Sequence, residues 1–104
     1  MIESLPDHRV ADDPDELRYE IFVEGLLAGH IAYRIEPGIL VLVYTDVEPR
    51  WANTWVGRRL VEGTLDDIRA RGLHAAPLCP FIHSFVKRRP EYADLIVRDP
   101  AVSD

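Results

Sequence analysis

The spacing of the apolar residues changes once along this chain, and that change constrains the fold more than any other feature. Between residues 17 and 47 apolar residues alternate with polar ones or form a short β-branched run, which is typical of strands. From Val56 onward they recur at helical spacing, at positions 60, 61, 65 and 68. A chain that passes from strands to a helix, and then to a further strand and helix, belongs to the α/β class.

The first of these regions predicts an antiparallel meander of three strands over residues 17–47. Apolar and charged residues alternate in the run R-Y-E-I-F-V, which starts at Arg18. The dipeptides E-G at 24–25 and P-G at 37–38 indicate tight turns. Residues 39–47 are almost continuously apolar, as expected of a central strand covered on both faces.

The second region predicts a helix over residues 54–71, a strand over 74–77 and a second helix over 80–89. Gly72 follows two basic residues, as is common where a helix ends. A strand, a helix and a strand in succession imply a parallel strand pair, so we expect a mixed sheet. Residues 1–16 are rich in Asp and Pro and predict a flexible acidic arm, followed by a single domain over 17–104.

Composition excludes several classes of function. The net charge of −6 argues against general nucleic-acid binding, which needs a basic surface. No apolar stretch is long enough to cross a membrane, and the N-terminus does not look like a signal peptide. A single cysteine and the lack of zinc-ligand spacing predict no disulfide and no metal, which suits a reducing, cytoplasmic setting.

The charges are unevenly distributed along the chain. Residues 1–48 hold 11 acidic and 3 basic side chains, whereas residues 49–104 hold 7 acidic and 9 basic ones. An anionic ligand is therefore expected in the C-terminal half, and solvated helix faces are the alternative interpretation. The basic residues that cluster there are Arg58, Arg59, Lys87, Arg88 and Arg89.

The only cysteine, Cys79, lies between two prolines at the predicted start of the last helix. Proline is favoured at the first helical position, so Pro80 would begin the helix and Cys79 would cap it. The positive end of a helix dipole favours a reactive thiolate there, which predicts faster alkylation than an ordinary thiol. A buried structural cysteine is the alternative.

Two motifs resemble a known family. The sequence A-R-G-L-H-A-A-P-L-C-P-F, followed by R-P-E-Y-A-D-L, is similar to the pattern of the minimal single-domain branch of the GNAT superfamily of N-acetyltransferases. The likeness runs from about Arg18 to Leu95. It implies a GNAT-like mixed sheet, acetyl-CoA as cofactor and a small-molecule or peptide amine as acceptor. It also implies that a splayed strand over residues 43–47 lines the cleft.

In that family, backbone amides of a glycine-rich loop bind the cofactor pyrophosphate at a helix N-terminus, and this chain departs from the pattern. Only the last glycine is present, as Gly57, while Ala52 replaces a basic residue and Tyr44 a histidine. Trp55 replaces the central glycine, so we expect it to obstruct the loop and Trp55→Gly to strengthen CoA binding. The resemblance implies a cofactor site at Val47, Trp55, Val56, Gly57, Arg58, Arg59 and Arg88.

The resemblance also bears on catalysis. The tyrosine that commonly protonates the leaving CoA thiolate corresponds to Phe85, which cannot donate a proton. Tyr92 is retained in P-E-Y and is a catalytic candidate together with Cys79. For Cys79 the resemblance implies either that it accepts the acyl group or that it lies beside the thioester. His83 lies one helical turn after Cys79 and could act as its base.

Two functions therefore stay open. The first is an acetyl-CoA-dependent N-acetyltransferase with an unidentified amine acceptor. The second is a catalytically degenerate GNAT-like domain that binds CoA or acyl-CoA, or serves as a protein-interaction module. The loop distinguishes them, because ordered amides facing a phosphate-sized cavity favour the enzyme and a groove plugged by Trp55 favours the second function.

Overall fold

The computed structural model describes residues 4–101, which form one mixed sheet with two helices. The strands are β1 (His8–Asp13), β2 (Arg18–Val23), β3 (Leu26–Glu36), β4 (Ile39–Val47) and β5 (His74–Pro77). The helices are α1 (Trp55–Ala70) and α2 (Pro80–Lys87), and short 3-10 turns cover Pro49–Trp51 and Pro90–Leu95. The predicted α/β class and the order of meander, helix, strand and helix are confirmed.

The sheet follows the chain, in the order β1-β2-β3-β4-β5. The first four strands are antiparallel and β5 joins β4 in parallel. The turns are as predicted, since Gly25 and Gly38 both adopt positive φ, at 82° and 75°. The observed bounds of β4 and β5 match the predicted ones, and α1 is one residue shorter at each end.

The predicted flexible arm over residues 1–16 is wrong for residues 8–13, which form β1 along β2. Val10 is the only large apolar residue of this strand, so apolar spacing does not reveal it. Val10 packs against α1 where Gly63 leaves room, since a Cβ atom at residue 63 would lie 2.6 Å from Val10 Cγ2. Residues 1–3 of the predicted arm lie outside the described residues.

The core lies between one face of the sheet, here called the inner face, and α1. Apolar side chains of β2, β3 and β4 meet α1 there, each fully buried and each contributing about 1.5–3 kcal/mol. We call the opposite face the outer face. The main core residues are Tyr19, Ile21, Ile31, Leu42, Leu60, Leu65 and Ile68.

Only the first half of β4 is covered on both faces, contrary to prediction. Leu40, Val41 and Leu42 are buried, but Val43 is 37% and Tyr44 52% exposed. In this second half β4 also lacks a neighbour on one edge, because β5 pairs with it only from Ile39 to Leu42. No helix of residues 4–101 combines the length and apolar character needed to span a bilayer.

Candidate functional site

Strands β4 and β5 separate after Leu42. The backbone amides of Leu78 and Cys79 both donate to Leu42 O, at 2.9 and 3.1 Å, and the chain then turns into α2. The pairing of β3 with β4 also shifts register here, so that Val43 forms a bulge. Residues 43–47 are therefore paired on one edge only, and a wedge opens between β4 and α2.

A cavity of about 300 Å³ fills this wedge. Its wall runs from the inner face of β4, through the loop after β4, to the first turns of both helices. The lining residues are Thr45, Val47, Trp51, Ala52, Asn53, Thr54, Gly57 and Phe81.

The first turn of α1 presents backbone donors at one side of this cavity. Thr54 caps the helix: its Oγ1 accepts from Val56 N at 3.3 Å and donates to Trp51 O at 2.6 Å. The first amides of a helix have no intrahelical acceptor, and those of Trp55 and Gly57 donate to no group within residues 4–101. Together with the helix dipole, they favour an anion at this position.

Gly57 lets the two helices approach each other closely. A Cβ atom at residue 57 would lie 3.2 Å from Phe81 Cζ and 3.9 Å from Val47 Cγ2. The ring of Phe81, which is 47% exposed, therefore rests against the first turn of α1. It lines both the cavity described above and a second one.

The second cavity, of about 370 Å³, carries positive charge. Arg58 and Arg88 line it, and neither makes an ion pair or hydrogen bond within the described part of the chain. Arg89 also lines it, but it forms ion pairs with Glu62 at 3.0 Å and with Glu91 at 2.8 Å. Two unpaired guanidinium groups beside the free amides of α1 form a site suited to phosphate groups.

Trp55 does not obstruct the loop as predicted. Its ring lies 4.9 Å from the His8 ring on β1 and 5.8 Å from the Trp51 ring, and it is absent from the cavity lining. The first helical residue points its side chain toward β1, so the obstruction expected from sequence is not present. Trp51 forms that wall instead, and its buried Nε1 has no acceptor among the described residues.

Two other predicted cofactor residues turn away from the cavity. Arg59 follows Arg58 by one residue, about 100° around the helix, and faces a separate cavity beside β1, 3.7 Å from Glu62 Oε1. The side chain of Val56 is fully buried in the core, and only its amide, already capped by Thr54, is near the site. Val47 and Gly57 do line the cavity, as expected.

Cys79 caps α2, as predicted, with Pro80 as the first helical residue. The residue is only 5% exposed, and Sγ lies 3.4 Å from Thr45 Oγ1. Thr45 lines the 300 Å³ cavity, whereas Cys79 sits behind it. Burial opposes the fast alkylation that the helix terminus favours, and the alkylation rate stays a prediction.

His83 is not positioned as a base for Cys79. It lines a cavity of about 430 Å³ between β5 and residues 96–99, beside Leu78 and Asp99. The Cys79 thiol faces the other way, toward β4. The two residues are one helical turn apart, and the contact between them is a backbone hydrogen bond from His83 N to Cys79 O.

The hydroxyl of Tyr92 does not reach the cavity either. It donates to Asp66 Oδ1 on α1 at 3.0 Å, and burial, helped by that hydrogen bond, raises the pKa of Tyr92 to about 12. Its ring lies beside that of Phe85, at 6.3 Å between centroids and tilted by 38°. Tyr92 therefore joins the C-terminal segment to α1, and the predicted catalytic role has no geometric support.

Six residues of the cavity wall were not among the predicted site residues, although Thr45 lies in the strand over residues 43–47 that was expected to line the cleft. They are Thr45, Trp51, Ala52, Asn53, Thr54 and Phe81. Asn53 carried a usable signal, since asparagine before a helix cap often adopts the left-handed conformation seen here, at φ 59°. Thr45 also had one, because it is a polar residue in an apolar strand. The inward direction of Phe81 depends on how α2 packs on α1, which no local pattern shows.

Comparison with known proteins identifies relatives of this architecture. Residues 18–95 match the family model of the GCN5-related N-acetyl-transferase. No curated protein sequence matches the chain.

Two solved structures have the same fold. The solution structure of a GCN5-like candidate N-acetyltransferase from Staphylococcus aureus is 18% identical, with a TM-score of 0.65 over 89% of this chain and 91% of that one. The crystal structure of an aminoglycoside acetyltransferase from an uncultured soil metagenomic sample, in complex with sisomicin, is 11% identical, with a TM-score of 0.52. It covers 84% of this chain and 65% of its own. At these identities the similarity concerns the fold.

Proposed function

This chain belongs to the GCN5-related N-acetyltransferase family, and we propose that it transfers an acetyl group from acetyl-CoA to an amine. One observation carries the proposal: the wedge between β4 and α2 opens a cavity directly onto the unpaired amides at the start of α1. A degenerate domain plugged by Trp55 is the weaker hypothesis, because that side chain lies against β1.

The residues present suit acetyl-CoA, although the glycine-rich loop is missing. Amides donate regardless of the side chain they carry, and those of Trp55 and Gly57 are free to hold a pyrophosphate. Arg58 and Arg88 supply the positive charge for further phosphate groups. Val47 and Phe81 give apolar walls, and the buried Nε1 of Trp51 is an unused donor beside them.

Bound acetyl-CoA would supply an activated acetyl thioester, whose carbonyl carbon gains a bond to the amine nitrogen as its bond to sulfur breaks and the electron pair leaves on sulfur. The protein positions the reactants. Thr45, whose hydroxyl pairs with the Cys79 thiol, lies at the strand-separation end of the cavity. Direct attack by the amine needs no protein nucleophile, which agrees with a Cys79 thiol behind the wall.

The acceptor is a molecule with a primary amine, of low-molecular-weight or peptide type. A structural neighbour was crystallised with sisomicin, a compound that carries amines. The acidic first half of this chain suits a cationic acceptor, since residues 1–48 hold 11 acidic and 3 basic side chains.

The test is calorimetric titration with acetyl-CoA and with CoA, followed by mass spectrometry of amine acceptors. Ala52→Phe should place a ring in the 300 Å³ cavity and weaken CoA binding at least about tenfold, or about 1.4 kcal/mol. Ala70→Phe, at the exposed far end of the same helix, is the matched control and should bind normally. Equal affinities for the two variants would reject the cavity as the cofactor site.

A further inference from the structure

Strand β1 lies at one edge of the sheet, and half of its backbone groups point away from it. Glu24 N donates to Asp7 O at 2.8 Å, so Asp7 and every second residue after it bond to β2. The N–H and C=O groups of the residues in between, His8, Val10 and Asp12, therefore point outward from the edge. No element in the described part of the chain pairs with them, because β2 is the only strand there that borders β1.

This edge lacks the features that usually keep a second strand away. Strand β1 pairs with β2 over six residues without a bulge, and no proline interrupts it. An inward-facing charge often protects an edge, but here that charge, on Asp12, is paired with Arg71 at 2.9 Å. The edge is therefore regular, and an extended segment can bind along it through backbone hydrogen bonds.

We propose that a second copy of this chain binds there, strand β1 against strand β1, in a dimer with two-fold symmetry. The two strands run antiparallel, and the axis passes through Ala11 perpendicular to the sheet, so that the two five-stranded sheets become continuous. A symmetric contact of this kind needs a surface that is complementary to itself. The inference does not depend on the proposed acetyltransferase function.

The charges on the outer face of β1 provide that complementarity. Arg9 and Asp13 lie two residues on either side of Ala11, and each of these side chains faces outward. An axis at Ala11 places Arg9 opposite the partner's Asp13, and the symmetry repeats this pair. Side chains directly opposite each other on antiparallel strands have Cβ atoms about 5 Å apart, which is close enough for an ion pair.

Arg9 and Asp13 are both available for this contact. The guanidinium group of Arg9 lies over the Phe22 ring, 4.4 Å from its centroid, and the Asp13 carboxylate accepts a long hydrogen bond, of 3.4 Å, from Glu16 N. Neither side chain makes an ion pair within residues 4–101. The two pairs of the dimer therefore form without breaking an existing ion pair.

The same axis satisfies the free backbone groups of the edge. It places Val10 opposite the partner's Asp12, and both residues point their N–H and C=O groups toward the other strand. Residues in such a pair exchange both of their N–H···O bonds, and the symmetry repeats the pair. Ala11 meets the partner's Ala11, and these small side chains let the two strands approach each other.

Other registers of the two strands are less favourable. An axis at Val10 places Asp7 opposite the partner's Asp13, and these like charges repel each other. An axis at Asp12 places Pro14 opposite the partner's Val10, where the N–H that proline lacks is needed. The axis at Ala11 is therefore favoured by both charge and hydrogen bonding.

Sedimentation velocity of the full chain tests for the dimer. A strand edge is a small interface, and interfaces below about 1,200 Å² hold weak complexes. We therefore expect monomer at about 1 μM and a dimer whose fraction rises toward about 1 mM. A chain that stays monomeric at about 1 mM would overturn the inference.

Charge variants identify the interface. Arg9→Asp and Asp13→Arg each place like charges opposite one another, so each should raise the dissociation constant of the homodimer at least about tenfold. Lys87→Asp makes the same charge change as Arg9→Asp at the exposed end of α2 and should dimerise like the wild type. Equal dissociation constants for Arg9→Asp and Lys87→Asp would overturn the assignment of the edge.

An equal mixture of the two interface variants separates charge pairing from damage to the fold. In a mixed dimer of Arg9→Asp with Asp13→Arg, every arginine at these two positions faces an aspartate of the other chain. Heterodimers should therefore form with about the affinity of the wild-type dimer, whereas Arg9→Asp mixed with wild type should associate more weakly. A mixture without heterodimers, although both variants melt like the wild type, would contradict the register.

Amide hydrogen exchange in the wild type tests the register without any substitution. The amides of Val10 and Asp12 should exchange rapidly in dilute solution and become protected at concentrations where the dimer forms. Those of Arg9 and Ala11 bond to β2 and should be protected at both concentrations. Rapid exchange of Val10 and Asp12 in the dimer would place the interface elsewhere and overturn the inference.

Discussion

The polar groups at the C-terminal end of α1 are paired with each other, whereas those at the N-terminal end are not. At the C-terminal end, Asp67 accepts from the Tyr19 hydroxyl at 2.6 Å and pairs with Arg71 at 3.0 Å. Arg71 also pairs with Asp12 at 2.9 Å, and Asp12 accepts from the Tyr33 hydroxyl at 2.8 Å. At the N-terminal end, Arg58, two amides and the nearby Arg88 have no partners within residues 4–101.

This difference separates structure from function within one helix. The paired end joins β1, β2 and β3 to α1, and it stabilises the fold by leaving few polar groups unsatisfied. The unpaired end contributes little to stability and leaves donors and positive charge for an anionic ligand. Variants at the two ends should therefore change different quantities, and four predictions test that separation.

The largest effect is expected at the paired end. Asp67→Ala leaves the hydroxyl of the fully buried Tyr19 without its acceptor and removes a partner of Arg71, so the free energy of unfolding should fall by about 2–3 kcal/mol. CoA affinity should not change. Asp94→Ala removes the same charge from a pair with Arg69 that is screened by solvent, and should lower stability much less. Chemical denaturation measures both, and equal losses would refute the structural role of the network.

A slightly smaller effect is expected at the unpaired end, on binding alone. Replacing Arg58 and Arg88 together with alanine should weaken CoA binding about tenfold to a hundredfold, because each guanidinium can pair with a phosphate group. The melting temperature without ligand should be unchanged. Arg59→Ala is the control on the other side of the helix and should bind CoA normally. If Arg59→Ala weakens binding as much as the double variant, the assignment of the helix face is wrong.

Tyr92→Phe tests whether a paired hydroxyl can also serve catalysis. Loss of the hydrogen bond to Asp66 should lower stability by about 1 kcal/mol. Loss of a general acid costs about 10²–10⁴-fold in rate. Because we do not expect Tyr92 to act as one, acetyl transfer at neutral pH should stay within about twofold of the wild type. A fall in kcat of that size would restore the catalytic role predicted from sequence.

The last prediction concerns the ionisation of buried tyrosines, which has no effect on stability at neutral pH. Burial first, and hydrogen bonds to carboxylates second, raise the pKa values of Tyr19, Tyr33 and Tyr92, the last to about 12. A raised folded-state pKa stabilises the protein below the ordinary value of 10, and this contribution is lost as the pH rises toward 12. Tyrosinate absorbance from these residues should therefore appear together with unfolding. Full ionisation of Tyr19, Tyr33 and Tyr92 at pH 11 in a protein that is still folded would contradict these hydrogen bonds.

The fold could be predicted wherever apolar residues repeat. Strands β2 to β5 and both helices followed from periodicity and from glycine and proline at their ends. Strand β1 could not be predicted, because Val10 is its only large apolar residue. Its contacts with the rest of the core are the packing of Val10 against Gly63 and the polar contacts of Asp12. Those contacts join residues far apart in sequence and leave no local pattern.

The site was predictable in position and less so in detail. The start of α1, the Cys79 cap and the cationic second half were expected from sequence. Which side chains face the cavity was not, since adjacent helical residues such as Arg58 and Arg59 point about 100° apart and the packing on the sheet decides between them. The side chains of Trp55, Tyr92 and His83 point in directions that the sequence did not predict, for the same reason.

The most direct test of the contrast along α1 is a map of amide chemical shifts in isotope-labelled protein as CoA is added. The largest shifts should fall on Thr45, Trp55, Gly57 and Phe81, around the cavity at the start of the helix, while those at the paired end stay in place. Shifts centred on Asp67 and Arg71, or no shifts at millimolar CoA, would contradict the account.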